Sequence, residues 1–526
     1  MTDILRGVFA AILFVSLFIL WQAWQKEHAP QPPPPIENAF PISPPGVVPP
    51  PSALAPAVQA KEIGLAVPVK TDLFDARIAL EGADLAEARL ARQKTRSGKP
   101  YPLFDSETSR FFRAQTGFLG KGLPDHHALY RSSQDSYALA PGEKSLEARF
   151  VYENENIRVE KVYTFSAGSY EVALSVRVQN LSATPLSGSA YFRLLRDTRP
   201  PLDESRLVRS FTGAAYYSSE SRFKKLSFGN MEKPFELQGE DGWMGVMEHY
   251  FIAAWIPEKG KHTFFARRLQ EDLFTAGVIA PLDTLGPGEE KTLKTSLYLG
   301  PKLHDALEAA APGLEYAVDY GFLTPISGPI FWIISWLKGF LGNWGLAIIA
   351  FTVLIKLLFL PLSLASYRSM AKMKKVAPRI QVLREQYTND TKKLHEAMMN
   401  LYREEKINPM SGCLPMIVQI PFFMALYWVL FESAEMRGVP FLWMPDLSFR
   451  DPYFILPVVM GATMLLQARL NPTPPDPMQA KMAYLMPIAF TVMFAFFPAG
   501  LVIYWTTNNI ISIFQQWHVQ RRSQPG

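Results

Sequence analysis

Lys356 is the only charge in Trp344–Leu364 (WGLAIIAFTVLIKLLFLPLSL), a stretch otherwise almost wholly apolar. An uncompensated lysine at mid-bilayer costs roughly 2.5–3.5 kcal/mol even on the lenient insertion scale. Thr352 precedes it by one helical turn on the same face. Other apolar runs carry Gln419, Gln467, Thr491, Tyr504, Thr507, Asn508 and Ser512, and none holds an acidic residue in its interior. Tyr504, Asn508 and Ser512 are spaced by four and form one stripe of a helix. An ion or proton pathway at membrane depth needs a titrating carboxylate. A cation among neutral polar groups instead makes a hydrophilic, mildly positive cavity, suited to holding a polar stretch of polypeptide on its way across. The plainer role for these groups, above all for Ser and Thr, is interhelical hydrogen bonding that holds a bundle together.

The elements that must position these residues are membrane spans. At 1.5 Å per residue, Trp344–Leu364 covers roughly 30 Å, the thickness of the hydrocarbon core, with Lys356 about 12 Å from its end. Ile4–Trp24 reads as a first span, an uncleaved anchor over 1–25, because it ends in aromatics and lacks a small-residue cleavage site. Apolar runs over 412–432, 453–470, 478–497 and 500–517 complete six spans, with 433–452 and 471–477 as loops and 518–526 as a short tail. Between the second and third spans, 365–411 carries ten Lys or Arg against five acids. Met370, Met373, Val376, Ile380 and Leu383, then Leu394, Met398 and Leu401, recur every three or four residues around Thr388-Asn389-Asp390. That pattern predicts a two-helix hairpin with one apolar seam and basic solvated faces, with Pro378 marking a break. Its cations include Arg368, Lys372, Lys374, Lys375, Arg379, Lys392 and Lys393. By the positive-inside rule the hairpin, and with it both termini, faces the cytoplasm.

The rest of the 526-residue chain divides by composition. Twelve prolines in Ala29–Pro56 make 26–56 an extended spacer. Region 57–318 reads as an all-β domain on the outer side of the membrane. In Tyr170–Val178, apolar Tyr170, Val172, Leu174, Val176 and Val178 alternate with Ala173, Ser175 and Arg177. Leu146–Tyr152, Ile157–Phe165 and Thr292–Leu299 repeat that signal, and the size suggests a large β-sandwich. Region 319–342, with Trp332, Trp336 and Lys338, suits a helix lying in the membrane interface. His126-His127 and Asp241-Gly242 read as loop and turn residues. The single Cys413 excludes a disulfide framework, and no phosphate loop, dinucleotide fingerprint or metal-ligand cluster is present. No cofactor is expected, and the chain reads as a non-enzyme.

Several stretches resemble the YidC/Oxa/Alb family of membrane protein insertases in its Gram-negative form. They are Asn343-Trp344-Gly345, Pro361-Leu362, Tyr367–Lys372, Asn408-Pro409 through Gly412-Cys413-Leu414-Pro415, Gln419-Ile420-Pro421, Asp451-Pro452-Tyr453 with Leu456-Pro457, and Phe497–Leu501. The resemblance implies a polytopic α-helical protein of the bacterial inner membrane. Its five-helix core would hold a groove open to cytoplasm and lipid, and its periplasmic domain would be a β-supersandwich like carbohydrate mutarotases, without established catalysis. The family's usual groove cation is arginine, and Lys356 keeps that charge without the planar fork. Tyr504 and Trp505 match last-helix aromatics that meet substrate. The implied partners are nascent membrane proteins, the Sec translocon, lipid, and the ribosome through the basic hairpin, without sequence-specific nucleic-acid binding. A secondary transporter or lipid scramblase using the same groove is the competing reading, and a carbohydrate-acting enzyme in the β domain is a second.

Overall fold

The structure, a computed structural model, describes residues 64–106, 110–204, 210–387, 390–405, 414–471 and 477–523. The expected anchor and proline-rich spacer lie outside them, as do Asn408-Pro409 and Gly412-Cys413. Of the described residues, 64–324 and 428–438 form one compact unit, and 325–427 and 439–523 form another.

The first unit is built on β-strands because its apolar residues recur every second position. In Glu171–Asn180, Val172, Leu174, Val176 and Val178 are buried while Ala173 and Arg177 face outward. That strand pairs antiparallel with Ile157–Ser166 on one side and Glu290–Pro301 on the other. Together they form the centre of a nine-stranded sheet running, edge to edge, Lys224–Ser227, Gly213–Tyr217, Trp243–Glu248, Phe251–Pro257, Glu290–Pro301, Glu171–Asn180, Ile157–Ser166, Ser145–Glu153 and Arg131–Ser132. A five-stranded sheet orders Pro100–Phe104, Leu85–Lys94, Phe74–Ala79, Ala66–Lys70 and Tyr137–Ala138. A second five-stranded sheet orders Phe235–Gly239, His262–Gln270, Leu273–Leu285, Leu186–Asp197 and Phe112–Leu119. Trp243 and Trp255 are fully buried, and Trp255 packs against Phe192 of the second five-stranded sheet.

Several charges buried in this unit are paired or fully hydrogen-bonded. Glu248 bridges Arg110 (2.6 Å) and Arg196 (2.7 Å), all three nearly inaccessible. Lys161 donates to the Gly82 carbonyl (2.5 Å), the Thr116 carbonyl (3.0 Å) and the Thr116 hydroxyl (2.7 Å). Asp84 accepts from the Thr116 N–H (2.8 Å), and burial pushes its carboxyl up against the pull of Lys161. Segment Trp428–Gly438 belongs to this unit. Its Glu432 meets Lys302 (3.1 Å) and the Ser210 hydroxyl (2.7 Å), and its Phe431 stacks on His249. Burial holds the His249 imidazole down to about 4. Asp241-Gly242 is a turn, as expected: Gly242 has φ +103°, and Asp241 accepts from the Ser219 backbone N–H and hydroxyl.

Nine helices are described: α1 (His304–Ala310), α2 (Thr324–Leu341), α3 (Trp344–Leu358), α4 (Leu360–Gln386), α5 (Thr391–Glu404), α6 (Leu414–Glu432), α7 (Ile455–Leu470), α8 (Pro477–Phe494) and α9 (Ala499–Ser523). On α2, Ile330 and Ile334 are buried while Trp332, Trp336 and Phe340 are exposed. Two expectations about the helices are corrected. The stretch 343–364 is not one straight span: it breaks at Phe359, and α3 and α4 meet at 66°. Pro361 is the physical cause, since it lacks an N–H for the preceding turn and stands where a new helix starts. Pro378, by contrast, marks no break, and α4 runs through it. It sits on an exposed face, where water can take the carbonyl bond that the ring denies.

The hairpin seam forms from the expected residues. Val376, Ile380 and Leu401 are buried together, with Met373, Leu383, Met398 and Tyr402 packed around them. Asp390 starts α5 by accepting from the Lys393 N–H at 3.0 Å. Among the described residues, no single helix is long and apolar enough to cross a membrane, whereas the bent pair α3–α4 passes that test jointly. Val418–Glu432, Ile455–Leu470 and Ala480–Phe494 are shorter apolar helices.

Candidate functional site

The site begins with how α3 starts and stops. Asn343 caps it, its side-chain oxygen accepting from the Gly345 N–H (2.7 Å) and, at longer range, the Leu346 N–H (3.4 Å). The break at Phe359 ends it. Lys356 therefore lies in the last turn, where its charge faces the negative end of the helix dipole. The expected depth of about 12 Å from the end of a straight span no longer applies, because the bend shortens the helix beyond the lysine.

The last helix, α9, packs against α3, α4 and α7. That brings Lys356 to Ser512: the ammonium donates to the Ser512 hydroxyl at 2.8 Å, and Lys356 is only 6% exposed. Ser512 in turn donates to the Asn508 carbonyl (2.7 Å) and shares a hydrogen bond with Tyr367. One turn along the same stripe, the Asn508 side-chain oxygen accepts from the Gln419 amide of α6 at 3.2 Å. Gln419 also reaches the Tyr504 hydroxyl. Phe423 of α6 stacks on Tyr504 (6.1 Å between centroids) and meets Trp505 edge-on (4.6 Å). Lys356, Ser512, Asn508, Gln419 and Tyr504 thus form one connected polar line across α3, α9 and α6, with Trp505 beside it.

Thr352 does not join this line. Its hydroxyl donates back to the Ile348 carbonyl at 2.7 Å, satisfied within its own helix. Thr491 does the same with Pro487. Gln467 and Thr507 are half-buried without a place in the line. The hairpin cations Arg368, Lys372, Lys374, Lys375, Arg379, Lys392 and Lys393 are all exposed. Arg379 pairs with Glu405 at 2.5 Å, across the hairpin.

Sequence reasoning missed a second polar seam. Asn509 donates to the Thr463 hydroxyl (3.2 Å), Gln516 to the Asn471 side chain (2.9 Å) and Gln520 to the Leu470 carbonyl (2.8 Å). Asn509 lies one position beyond Asn508, and Gln516 and Gln520 continue the four-residue spacing of Tyr504, Asn508 and Ser512, a period visible in the sequence. They tie α9 to α7.

A cation with a neutral partner, joined to amide and phenol groups, can attract negative charge and accept or donate hydrogen bonds. Among the described residues it offers no metal-ligand cluster. Residues 66–333 match the family model described as the YidC periplasmic domain, and residues 336–525 match that of the 60Kd inner membrane protein. A membrane protein insertase YidC of Methylobacillus flagellatus is 44% identical over 99% of this chain and 98% of its own. One of Thiobacillus denitrificans is 45% identical over 97% of each. A crystal structure described as an active YidC insertase with its first transmembrane domain resolved is 19% identical, with a TM-score of 0.41, over 84% of this chain and 90% of that one. The molecule is an inner-membrane protein combining a β-rich periplasmic domain with a helical core. It belongs to the YidC family of membrane protein insertases.

Proposed function

We propose that this protein inserts newly made proteins into the bacterial inner membrane, and that the polar line around Lys356 receives their hydrophilic flanks. The observation that supports this is the Lys356–Ser512 contact: a buried cation whose partner is neutral retains charge to offer a substrate carboxylate. A nascent apolar segment slides along α6 and α8. Its short acidic flank enters the groove, where Lys356, Gln419, Tyr504, Asn508 and Ser512 replace water and lower the barrier to carrying a polar stretch through hydrocarbon. The apolar segment then partitions into lipid, which supplies the driving force. Thr352, turned back on its own helix, packs α3 and takes no part in this reception.

Six spans, including the anchor and the bent second span, place both termini in the cytoplasm. The three sheets form the periplasmic supersandwich. The exposed cations of the hairpin meet the ribosome and clients, and the Sec translocon is a working partner. The family is not an enzyme family, and no cofactor is required for a process driven by partition.

Purified full-length protein in liposomes without a translocon, offered a single-spanning client with a short acidic tail, tests this. Protease protection of the tail well above empty liposomes is expected, and Lys356→Ala and Tyr504→Ala should lower it. Unchanged insertion of every charged-tail client by both variants would sink the groove reading. Substrate-coupled ion flux would favour a transporter. Deleting 61–312 with both flanking spans kept should leave core insertion in place, whereas a carbohydrate-acting enzyme in that domain would lose everything.

A further inference from the structure

A further buried cluster lies in the β unit, apart in sequence from the Lys356 line. It lies on one face of the sheet that contains Leu186–Asp197. Cross-strand register sets Arg113, Leu195, Thr275 and Arg267 in a single row, and Gln115, Arg193, Gly277 and Phe265 in the next. Paired residues share a face, so the three arginines project from the same side of the sheet. Gly277, between them, lets the Arg193 strand approach closely: an added Cβ would meet the Phe192 carbonyl at 2.2 Å and Arg193 Cα at 2.7 Å.

The partners of these groups are unequal. Arg193 is fully buried and donates to the Gln115 side-chain oxygen (2.7 Å) and to His126 Nε2 (3.2 Å). His126 Nδ1 meets the Tyr191 hydroxyl at 2.6 Å. With Nε2 accepting from Arg193, the imidazole is neutral and Nδ1 carries its proton, in keeping with burial and Arg193 driving the ring down to about 2. Arg113 and Arg267, in contrast, make no ion pair among the described residues. Arg113 Nε, Arg267 Nε and Nη2, and the Thr275 hydroxyl have no hydrogen-bond partner there. Arg267 is 8% exposed and Thr275 1%. The acidic groups acting at a distance are Asp84, engaged by Thr116 and facing Lys161, and the rim carboxylates Glu81 and Glu236. Buried guanidinium donors without acceptors are costly, and planar forks match oxyanions.

We propose that Arg113, Arg193, Arg267 and Thr275 form a receptor for a small oxyanion, a phosphate or carboxylate carried by a periplasmic solute. The arginines neutralise its charge, Thr275 donates a hydrogen bond, and neutral His126 holds Arg193 in place without adding a carboxylate that would compete.

Full-length protein in nanodiscs, titrated calorimetrically with inorganic phosphate and separately with citrate, tests the site. Potassium chloride at matched ionic strength is the control. Saturable binding of one anion per chain is expected with at least one probe, and which probe binds assigns phosphate or carboxylate chemistry. Arg267→Gln should weaken that binding about tenfold or more, and Thr275→Val should weaken it less. The wild type alone keeps the proposal falsifiable if Arg267→Gln does not fold. Heat no different from chloride for both probes would overturn it, as would undiminished binding by a folded Arg267→Gln or by the Arg267→Gln/Thr275→Val double variant.

Discussion

Two buried lysines show how differently the two units treat the same side chain. Lys161 in the β unit gives its three protons to three oxygens and faces Asp84, so the site is complete. Lys356 in the helical unit makes one described hydrogen bond, to a neutral hydroxyl. The first lysine has its desolvation offset by its partners, whereas the second has a single neutral partner to offset the same cost. The β unit repeats the first pattern at Glu248 with Arg110 and Arg196, and at Glu432 with Lys302. Within the helical unit the polar line is neutral apart from Lys356.

Substitution of the two lysines is the largest test of that contrast. Lys161→Met strands Asp84 in the interior and should cost about 3–5 kcal/mol in chemical unfolding of the β unit. Lys356→Met should leave the unfolding midpoint of the helical unit unchanged or higher, while lowering insertion of acidic-tail clients. A destabilised Lys356→Met protein would break the comparison, because it would make Lys356 a structural cation as well.

A smaller effect is expected from pH. The folded His249 sits at about 4, below its ordinary value near 6.5, chiefly through burial. The unfolded chain therefore binds the proton first as pH falls, and stability is full above about 6.5 and declines from there to about 4. The loss reaches about 3 kcal/mol at most. His249→Phe, which keeps a ring against Phe431, should flatten that part of the stability profile. An unaltered slope would show that other groups carry it.

The hairpin tests whether an apolar seam alone organises the basic segment. Leu401→Ala should cost about 2 kcal/mol and accelerate hydrogen exchange along α5 and the facing turns of α4. Exchange unchanged in α4 would show that the two helices do not depend on one another. The smallest effect is expected at Thr352. Its hydroxyl serves its own helix, so Thr352→Val should change stability by under about 1 kcal/mol and leave insertion as it was. A marked insertion defect would return Thr352 to the substrate path and blur the distinction from Lys356.

Period and composition alone made much of this molecule legible. The alternation in Glu171–Asn180, the hairpin seam at Val376, Ile380 and Leu401, and the stripe Tyr504–Asn508–Ser512 all follow from residue spacing, because side-chain direction repeats every two residues in a strand and about 3.6 in a helix. The motifs from Asn343-Trp344-Gly345 to Phe497–Leu501 carried the family resemblance, and the comparisons bear it out. Tertiary structure decided what spacing cannot express. Pro361 bends the chain while Pro378 does not, because one follows a buried lysine turn at a helix junction and the other stands on a solvated face. Thr352 and Ser512 are both buried hydroxyls that donate to a carbonyl of their own helix, yet only Ser512 also accepts from Lys356, since α9 packs against α3 there. The arginine-bearing face of the β unit is not legible in the sequence for the same reason. Arg113, Arg193 and Arg267 are far apart in the chain, and only strand register sets them on one face. Local chemistry follows from sequence, whereas the partner of a buried polar group depends on which strands and helices the fold makes neighbours.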